Sequence, residues 1–250
     1  MEARVIALII LGVATIAQSI YFYRGIVDYK PVFTQMPDES AQRRNGPRLV
    51  GNVLVVVVDG LRVDVSYNMD ALNFLRARGA DAISMVGLPS LSSPGDAVLF
   101  TGAWQEFTGV TTNLYIGPGP DSVFDEAKRS NLTTASVGYG SVNEMFGRSI
   151  DNKSEHLADD SNILTHCLDF IQNGHFNLLV VHFSNLDHVG HIYGGTSSQY
   201  REAAAEIDVY VSEILKNLNL SESVIIITSD HGHRDEGGHG GGNGRYWKRH

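Results

Sequence analysis

Three short apolar runs, each leading to a carboxylate, constrain this chain most. Val53–Val58 stops at Asp59-Gly60. Leu178–Phe183 runs on through Ser184, Asn185 and Leu186 to Asp187-His188-Val189-Gly190-His191. Val224–Thr228 stops at Ser229-Asp230-His231-Gly232, and a glycine-rich loop then carries His233 and His239. β-Branched runs of this length read as buried strands. In open parallel sheets the rim outside the carboxyl ends of the strands is where ligands bind. One Asp-Gly after a strand is usually a turn. Three strands that each deliver a carboxylate to a rim are hard to explain as packing.

Helical patterns alternate with these runs. Asp70–Arg78 carries Ala71, Leu72 and Leu75 on one face and stops at Gly79. Gln199–Leu218 buries a stripe of Ala203, Ile207, Val211, Ile214 and Leu218 and leads into the run at Val224. Ser84–Leu88 reads as a further strand, followed by Pro89–Gly95 and a helical stretch over Asp96–Thr101. This places Ser92 in a strand-to-helix turn, where helix-start N–H groups can face an anion. Alternating strands and helices predict an α/β fold with a doubly wound, mostly parallel sheet.

The chain has 250 residues and a net charge of −9, without a basic stripe. That excludes nucleic-acid binding through phosphate contacts. Cys167 is the only cysteine, so no intrachain disulfide forms and the thiol is expected to be buried or unpaired. Val5–Tyr23 is almost uninterruptedly apolar and, at helical rise, roughly 28 Å long. Residues 1–24 read as a signal-anchor transmembrane helix, with Tyr21 and Tyr23 at an interface and Arg24 closing it. A cleaved signal peptide is the rival reading, with Thr15–Ala17 before the cut. Residues 25–48, with three prolines, read as a linker, and 49–250 as the catalytic domain. Sequons at Asn131, Asn152 and Asn219, together with the span, favour a luminal or extracellular domain.

The polar residues at the rim suggest two metal sets. Asp187 and His191, at i and i+4, face one point if the turn is helical; His239 completes an Asp-His-His set. Asp59, Asp230 and His231 form a second. Mixed carboxylate and imidazole ligands suit zinc or manganese better than calcium. Two such sites ~4 Å apart support in-line phosphoryl displacement. A serine hydroxyl is a poor nucleophile until activated, and metal coordination activates it; Ser92 is the best-placed serine. A lone histidine is more often structural than a ligand. His182, His166 and His175 read that way, His188 as a hydrogen-bonding neighbour of the ligands, and His233 as a residue that could be solvent-exposed.

At this point the motifs themselves resemble a family. Asp59–Arg62, Pro89–Gly95, Asp187–His191 and Ser229–Gly232 with Gly238–Gly240 resemble the alkaline-phosphatase superfamily, and within it most closely the glycosylphosphatidylinositol (GPI) ethanolamine phosphate transferases. The close spacing of His239 to Asp230 distinguishes that branch from the nucleotide pyrophosphatase/phosphodiesterases, and Asp121–Ala127 also looks like a transferase segment. The resemblance implies two divalent metal ions, zinc or manganese. Asp59, Ser92, Asp230 and His231 would hold one, with Ser92 the covalent nucleophile; Asp187, His191 and His239 would hold the other. Asn113 falls where the phosphodiesterases place an asparagine that holds a phosphate oxygen. By the same likeness the donor is phosphatidylethanolamine, the acceptor a GPI mannose, and the place the luminal face of the endoplasmic reticulum membrane. The family fold has further strands beyond the last ligand, so the alkaline-phosphatase-like sheet is expected to be incomplete at the C-terminus. A phosphodiesterase-type hydrolase, and a truncated non-catalytic relative that binds metal or lipid, are the alternative expectations.

Overall fold

The computed structural model describes residues 10–21, 50–113, 117–138, 140–154, 157, 159–173 and 176–240. Five parallel strands form one sheet in the order β3-β2-β4-β1-β5: β1 (Asn52–Val58), β2 (Thr134–Gly138), β3 (Asn152–Lys153), β4 (Leu178–Phe183) and β5 (Ser223–Thr228). β1 pairs with β4 on one side, Val58 opposite Phe183, and with β5 on the other, Val57 opposite Thr228. The loops that follow these three strands therefore leave the sheet side by side.

Alternation along the strands divides the core in two. Leu54, Val56, Val58, Leu179, Val181 and Phe183 face one layer, with Ile207, Val211 and Ile214 from the helix Ser198–Asn217. Val57, Leu178 and Val180 face the other. There Phe100, Phe124 and Phe146 form a cluster of tilted and edge-on rings. Successive strand side chains point to opposite faces, so a run buried on both sides must be apolar throughout. That is why β1 and β4 carry no polar alternation apart from His182, in keeping with parallel sheets covered on both faces.

The expected strands over Val53–Val58 and Leu178–Phe183 form, as do the helices over Asp70–Arg76 and Ser198–Asn217. Two expectations are corrected. Ser84–Leu88 forms no strand: Ile83, Met85 and Leu88 are exposed and no strand pairs with the segment. Its hydrophobic character does not serve a sheet. β5 is not buried. It is one of the two edge strands among the described residues; Ile225 and Ile227 pack inward while Val224 and Ile226 are exposed.

Cys167 is free and buried, as expected. Residues 10–21 are helical with every residue exposed, and among the described residues no helix is long and apolar enough to cross a membrane. The expected span Val5–Tyr23 lies only partly within them. The linker over 25–48 and His175 lie outside the described residues, apart from which the sequon asparagines Asn131, Asn152 and Asn219 are all described.

Tyr200, fully buried, ties the helix Ser198–Asn217 to the loop after β1. Its hydroxyl donates to the Gly60 carbonyl and accepts from the Arg62 N–H at 3.2 Å. Tyr200→Phe leaves that carbonyl without its donor in a dry site. The expected loss is about 1–3 kcal/mol, read as a fall of several degrees in Tm by thermal denaturation.

Candidate metal centre

Every loop that builds this centre follows a strand of the sheet or the start of a helix. Gly60 turns the chain sharply after Asp59, with φ +73°, a conformation glycine adopts without strain. Its N–H donates to Asp230 Oδ1 at 3.2 Å, and the Leu61 N–H to Ser229 Oγ at 3.0 Å. The loops after β1 and β5 are thereby fastened together, and Asp59 meets Asp230 and His231. Ser92 is the first residue of the helix Ser92–Thr101, and Gly95 in its first turn lies against the Asp230 backbone, where a Cβ would come within 2.6 Å of the carbonyl oxygen.

His231 Nε2 is the meeting point of the first set. It lies 3.2 Å from Asp59 Oδ1, 3.3 Å from Ser92 Oγ and 3.5 Å from Asp230 Oδ2. Asp59, Asp230 and His231 are all buried. In the second set, Asp187 and His191 stand one turn apart on the helix Asn185–Tyr193, 3.5 Å from each other. His239 Nε2 lies 2.9 Å from His191 Nε2 and 3.4 Å from Asp187 Oδ1. The His239 Nδ1–H donates to the Ser90 carbonyl at 2.6 Å. A carbonyl only accepts, so in the neutral ring Nε2 is unprotonated and turned toward Asp187 and His191, the orientation of a metal-ligating imidazole. The two sets adjoin, with the rings of His231 and His239 stacked at 3.7 Å and 18°. The arrangement thus brings together all seven sequence-predicted ligands.

Asn113 lies beside this centre. Its Oδ1 accepts the Ser93 N–H at 3.0 Å, which fixes the amide orientation and leaves its NH₂ as the group that can meet a substrate.

Three further residues join the centre: His233 and His182, which the sequence reading had set aside, and Asp96, which it had not singled out. His233 is buried, not solvent-exposed, with Nε2 2.7 Å from Asp187 Oδ1. His182, in β4, lies between Asp59 at 3.6 Å and Asp96 at 4.0 Å. Asp96, on the Ser92–Thr101 helix, accepts from Ser141 Oγ at 2.7 Å. The one sequence signal for the last two was polarity inside otherwise apolar elements. His188 is exposed, and it stands close enough to His191, three residues on, to help burial lower its pKa. His166 is exposed as well.

The electrostatics ask for cations. Burial holds the Asp59 carboxyl well above its ordinary range, and Asp230, Asp187 and Asp96 push it further. Burial lowers the pKa of His231 and of His191, keeping these rings neutral. Burial opposes ionisation of Asp187, but the His233 hydrogen bond and the nearby His231 and His239 hold its carboxyl below the usual range. Asp59 Oδ1 and Asp230 Oδ2 are buried without a hydrogen-bond donor. Ligand atoms of Asp59, Asp230 and His231 all lie within 4.8 Å of one another, as do those of Asp187, His231 and His239 and those of Asp187, His191 and His233. Carboxylate and neutral imidazole in these proportions fit zinc or manganese.

Comparison with known proteins bears on this geometry. Residues 135–241 match the family model described as type I phosphodiesterase / nucleotide pyrophosphatase. Human GPI ethanolamine phosphate transferase 2, catalytic subunit, is 26% identical over 218 residues, 78% of this chain and 22% of that protein. Human GPI ethanolamine phosphate transferase 1 is also 26% identical, over 89% of this chain and 27% of its own length. The family resemblance holds. The chain is similar to these transferases, and it spans about a quarter of their length. Among solved structures, human ectonucleotide pyrophosphatase / phosphodiesterase 5 superposes with a TM-score of 0.62 at 18% identity, covering 72% of this chain and 57% of that one. The mostly parallel α/β fold is thus shared with the phosphodiesterases.

The buried carboxylates make a pH prediction for the metal-free chain. Asp96 is raised from 3.8 to about 6, chiefly by burial, with Asp230 adding and His182 and Ser141 opposing. The folded chain retains a proton there that the unfolded chain loses, so stability falls as pH rises from about 4 to about 6. In chelator-treated protein, Asp96→Asn is expected to flatten that part of the Tm-against-pH curve.

Proposed function

We propose that this chain carries the catalytic centre of a phosphoethanolamine transferase that works through a covalent intermediate on Ser92. The observation that carries the reading is Ser92 Oγ, at a helix start, 3.3 Å from His231 Nε2 and beside the buried Asp59–Asp230 pair. Asp59, Ser92, Asp230 and His231 would hold one divalent cation, and Asp187, His191 and His239 a second, zinc or manganese. Bound there, the two cations supply Lewis-acid charge neutralisation at the phosphoryl oxygens and favour the Ser92 alkoxide.

The residues divide the remaining work. Ser92 Oγ attacks the phosphorus of phosphatidylethanolamine; the Oγ–P bond forms as the bond to the diacylglycerol oxygen breaks, and that oxygen takes a proton. A mannose hydroxyl of a GPI precursor then attacks the phosphoserine ester and loses its proton, and Ser92 is regenerated. The Asn113 NH₂, with its oxygen fixed on the Ser93 N–H, is placed to donate to a phosphoryl oxygen. The names of the similar transferases carry ethanolamine phosphate as the group moved and GPI as its destination; phosphatidylethanolamine and the mannose follow from the family resemblance. The domain limits follow the sequence: 1–24 as a signal anchor, 25–48 as a linker and 49–250 as the catalytic domain, luminal in the endoplasmic reticulum.

A hydrolase is the second reading, favoured by the match of residues 135–241 to the phosphodiesterase family model. The same Ser92 ester would form, and water would replace the mannose.

The test is Ser92→Ala in the full chain, assayed with a phosphatidylethanolamine whose headgroup is isotopically labelled. Wild type is expected to hold about two zinc ions and to show a phosphoethanolamine mass on Ser92. The variant is expected to keep its metal, lose the adduct and fall by at least about 10³-fold in turnover. Label passing to a glycolipid supports the transferase, and label released to water supports the hydrolase.

A further inference from the structure

We propose that His233 is a positioning residue: it holds the Asp187 carboxylate in the orientation that the Asp187–His191–His239 set needs to bind a divalent cation. The assignment rests on the metal reading above and concerns a residue outside the seven ligands.

The chemistry of the contact fixes its direction. His233 Nε2 lies 2.7 Å from Asp187 Oδ1, and its side chain is fully buried. An ionised carboxylate only accepts, so the proton is on Nε2 and His233 is the donor. With that proton in place Nε2 is not a metal ligand; the hydrogen bond and coordination through the same atom exclude each other. The bond engages Oδ1, while Oδ2 faces His191 at 3.5 Å. Asp187 is thus held through Oδ1, which also lies 3.4 Å from His239 Nε2, with Oδ2 turned to His191.

The surroundings are built to seat this ring. A Cβ on Gly190 would come within 2.6 Å of His233 Nε2, and one on Gly60 within 2.8 Å of Cδ2. Only residues without side chains admit the imidazole at both positions. The ring stands edge-on to His191 at 5.1 Å and 89° and to His239 at 5.3 Å and 83°. The His233 carbonyl accepts from Arg62 Nη1 at 3.0 Å, and the same nitrogen pairs with Asp235 Oδ1 at 2.7 Å. Arg62 therefore fastens the loop that carries His233 to the turn after β1. Hydrogen bonds to ligating carboxylates raise metal affinity by limiting the orientations the ligand samples in the free protein, and their loss typically weakens binding about 10–100-fold.

The experiment measures Zn²⁺ affinity by competition with a chromophoric chelator, using the full 250-residue chain as wild type, His233→Ala, His233→Gln and His233→Asn. Thermal melts of the chelator-treated proteins serve as the control for folding. The Gln amide can present an N–H where Nε2 lies; the shorter Asn amide cannot. His233→Ala and His233→Asn are expected to bind one of two zinc ions about 10–100-fold more weakly, with the second unchanged, and His233→Gln to recover most of the loss. If His233→Ala does not fold, recovery of wild-type affinity by His233→Gln against weak binding by His233→Asn still supports the assignment. Wild-type affinity at both sites in a folded His233→Ala or His233→Asn overturns it while leaving the metal reading intact. A folded His233→Gln as weak as the Asn variant also overturns it and makes His233 a ligand. A wild-type chain that binds no zinc removes the metal reading and this assignment together.

Discussion

Four carboxylates, Asp59, Asp96, Asp187 and Asp230, converge at one end of the sheet with only histidines as ion-pair partners among the described residues. Buried charge without a counter-charge is strongly unfavourable, and protons or cations are the two ways to relieve it. The raised pKa of Asp59 and Asp96 is the proton route. The neutral imidazoles of His231 and His191, available as ligands, favour the cation route. The same residues thus make the metal-free chain pH-sensitive and the centre receptive to divalent metal.

The sheet makes that convergence possible. β1 lies between β4 and β5 in parallel register, so Asp59, Asp187 and Asp230 leave from adjacent strand ends. Parallel strands buried on both faces need continuous apolar side chains, and this leaves the strand ends as the first place where polar groups can gather. Gly95 then lets the helix start approach the Asp230 backbone, and Gly60 lets the His233 and Asp187 side chains approach the turn after β1, at distances that a Cβ would forbid. The Pro89–Ser92 segment closes the ring: Ser90 holds His239 through its carbonyl and Gly240 through its hydroxyl, two residues before Ser92 enters its helix.

Much of this was legible in the sequence because it depends on local pattern. Apolar runs announced β1, β4 and β5 but not β2 or β3, a 3.6-residue stripe announced the helix Ser198–Asn217, and the i, i+4 spacing of Asp187 and His191 required only one helical turn. What was not legible depends on tertiary partners. Ser84–Leu88 has strand-like composition but finds no strand to pair with. β5 has the apolar run of a central strand and the exposure of an edge. His233 sits in a polar, glycine-rich stretch that reads as a surface loop; its burial is set by Gly60, Gly190 and Arg62, far away in sequence. Asp96 and His182 are brought together by the packing of a helix on a strand, which no spacing encodes.

Transfer and hydrolysis share everything described so far, which explains why a phosphodiesterase family model and transferase relatives both match one chain. In the proposed function, Ser92, the two metal sets and Asn113 act on the donor and on the ester it leaves behind. The two outcomes separate only at the second step, when a sugar hydroxyl or water reaches that ester. Water at its bulk concentration wins unless the acceptor is bound in place or water is kept out. On that reading, specificity for transfer would reside in the groups around Ser92 and Asn113 rather than in the ligands. The exposed Ile83, Met85, Leu88 and Trp104 lie on the segments flanking Ser92 in sequence. With the exposed Leu99 they are the apolar surface nearest in the chain to Ser92, and exclusion of water there would have to begin with residues of this kind.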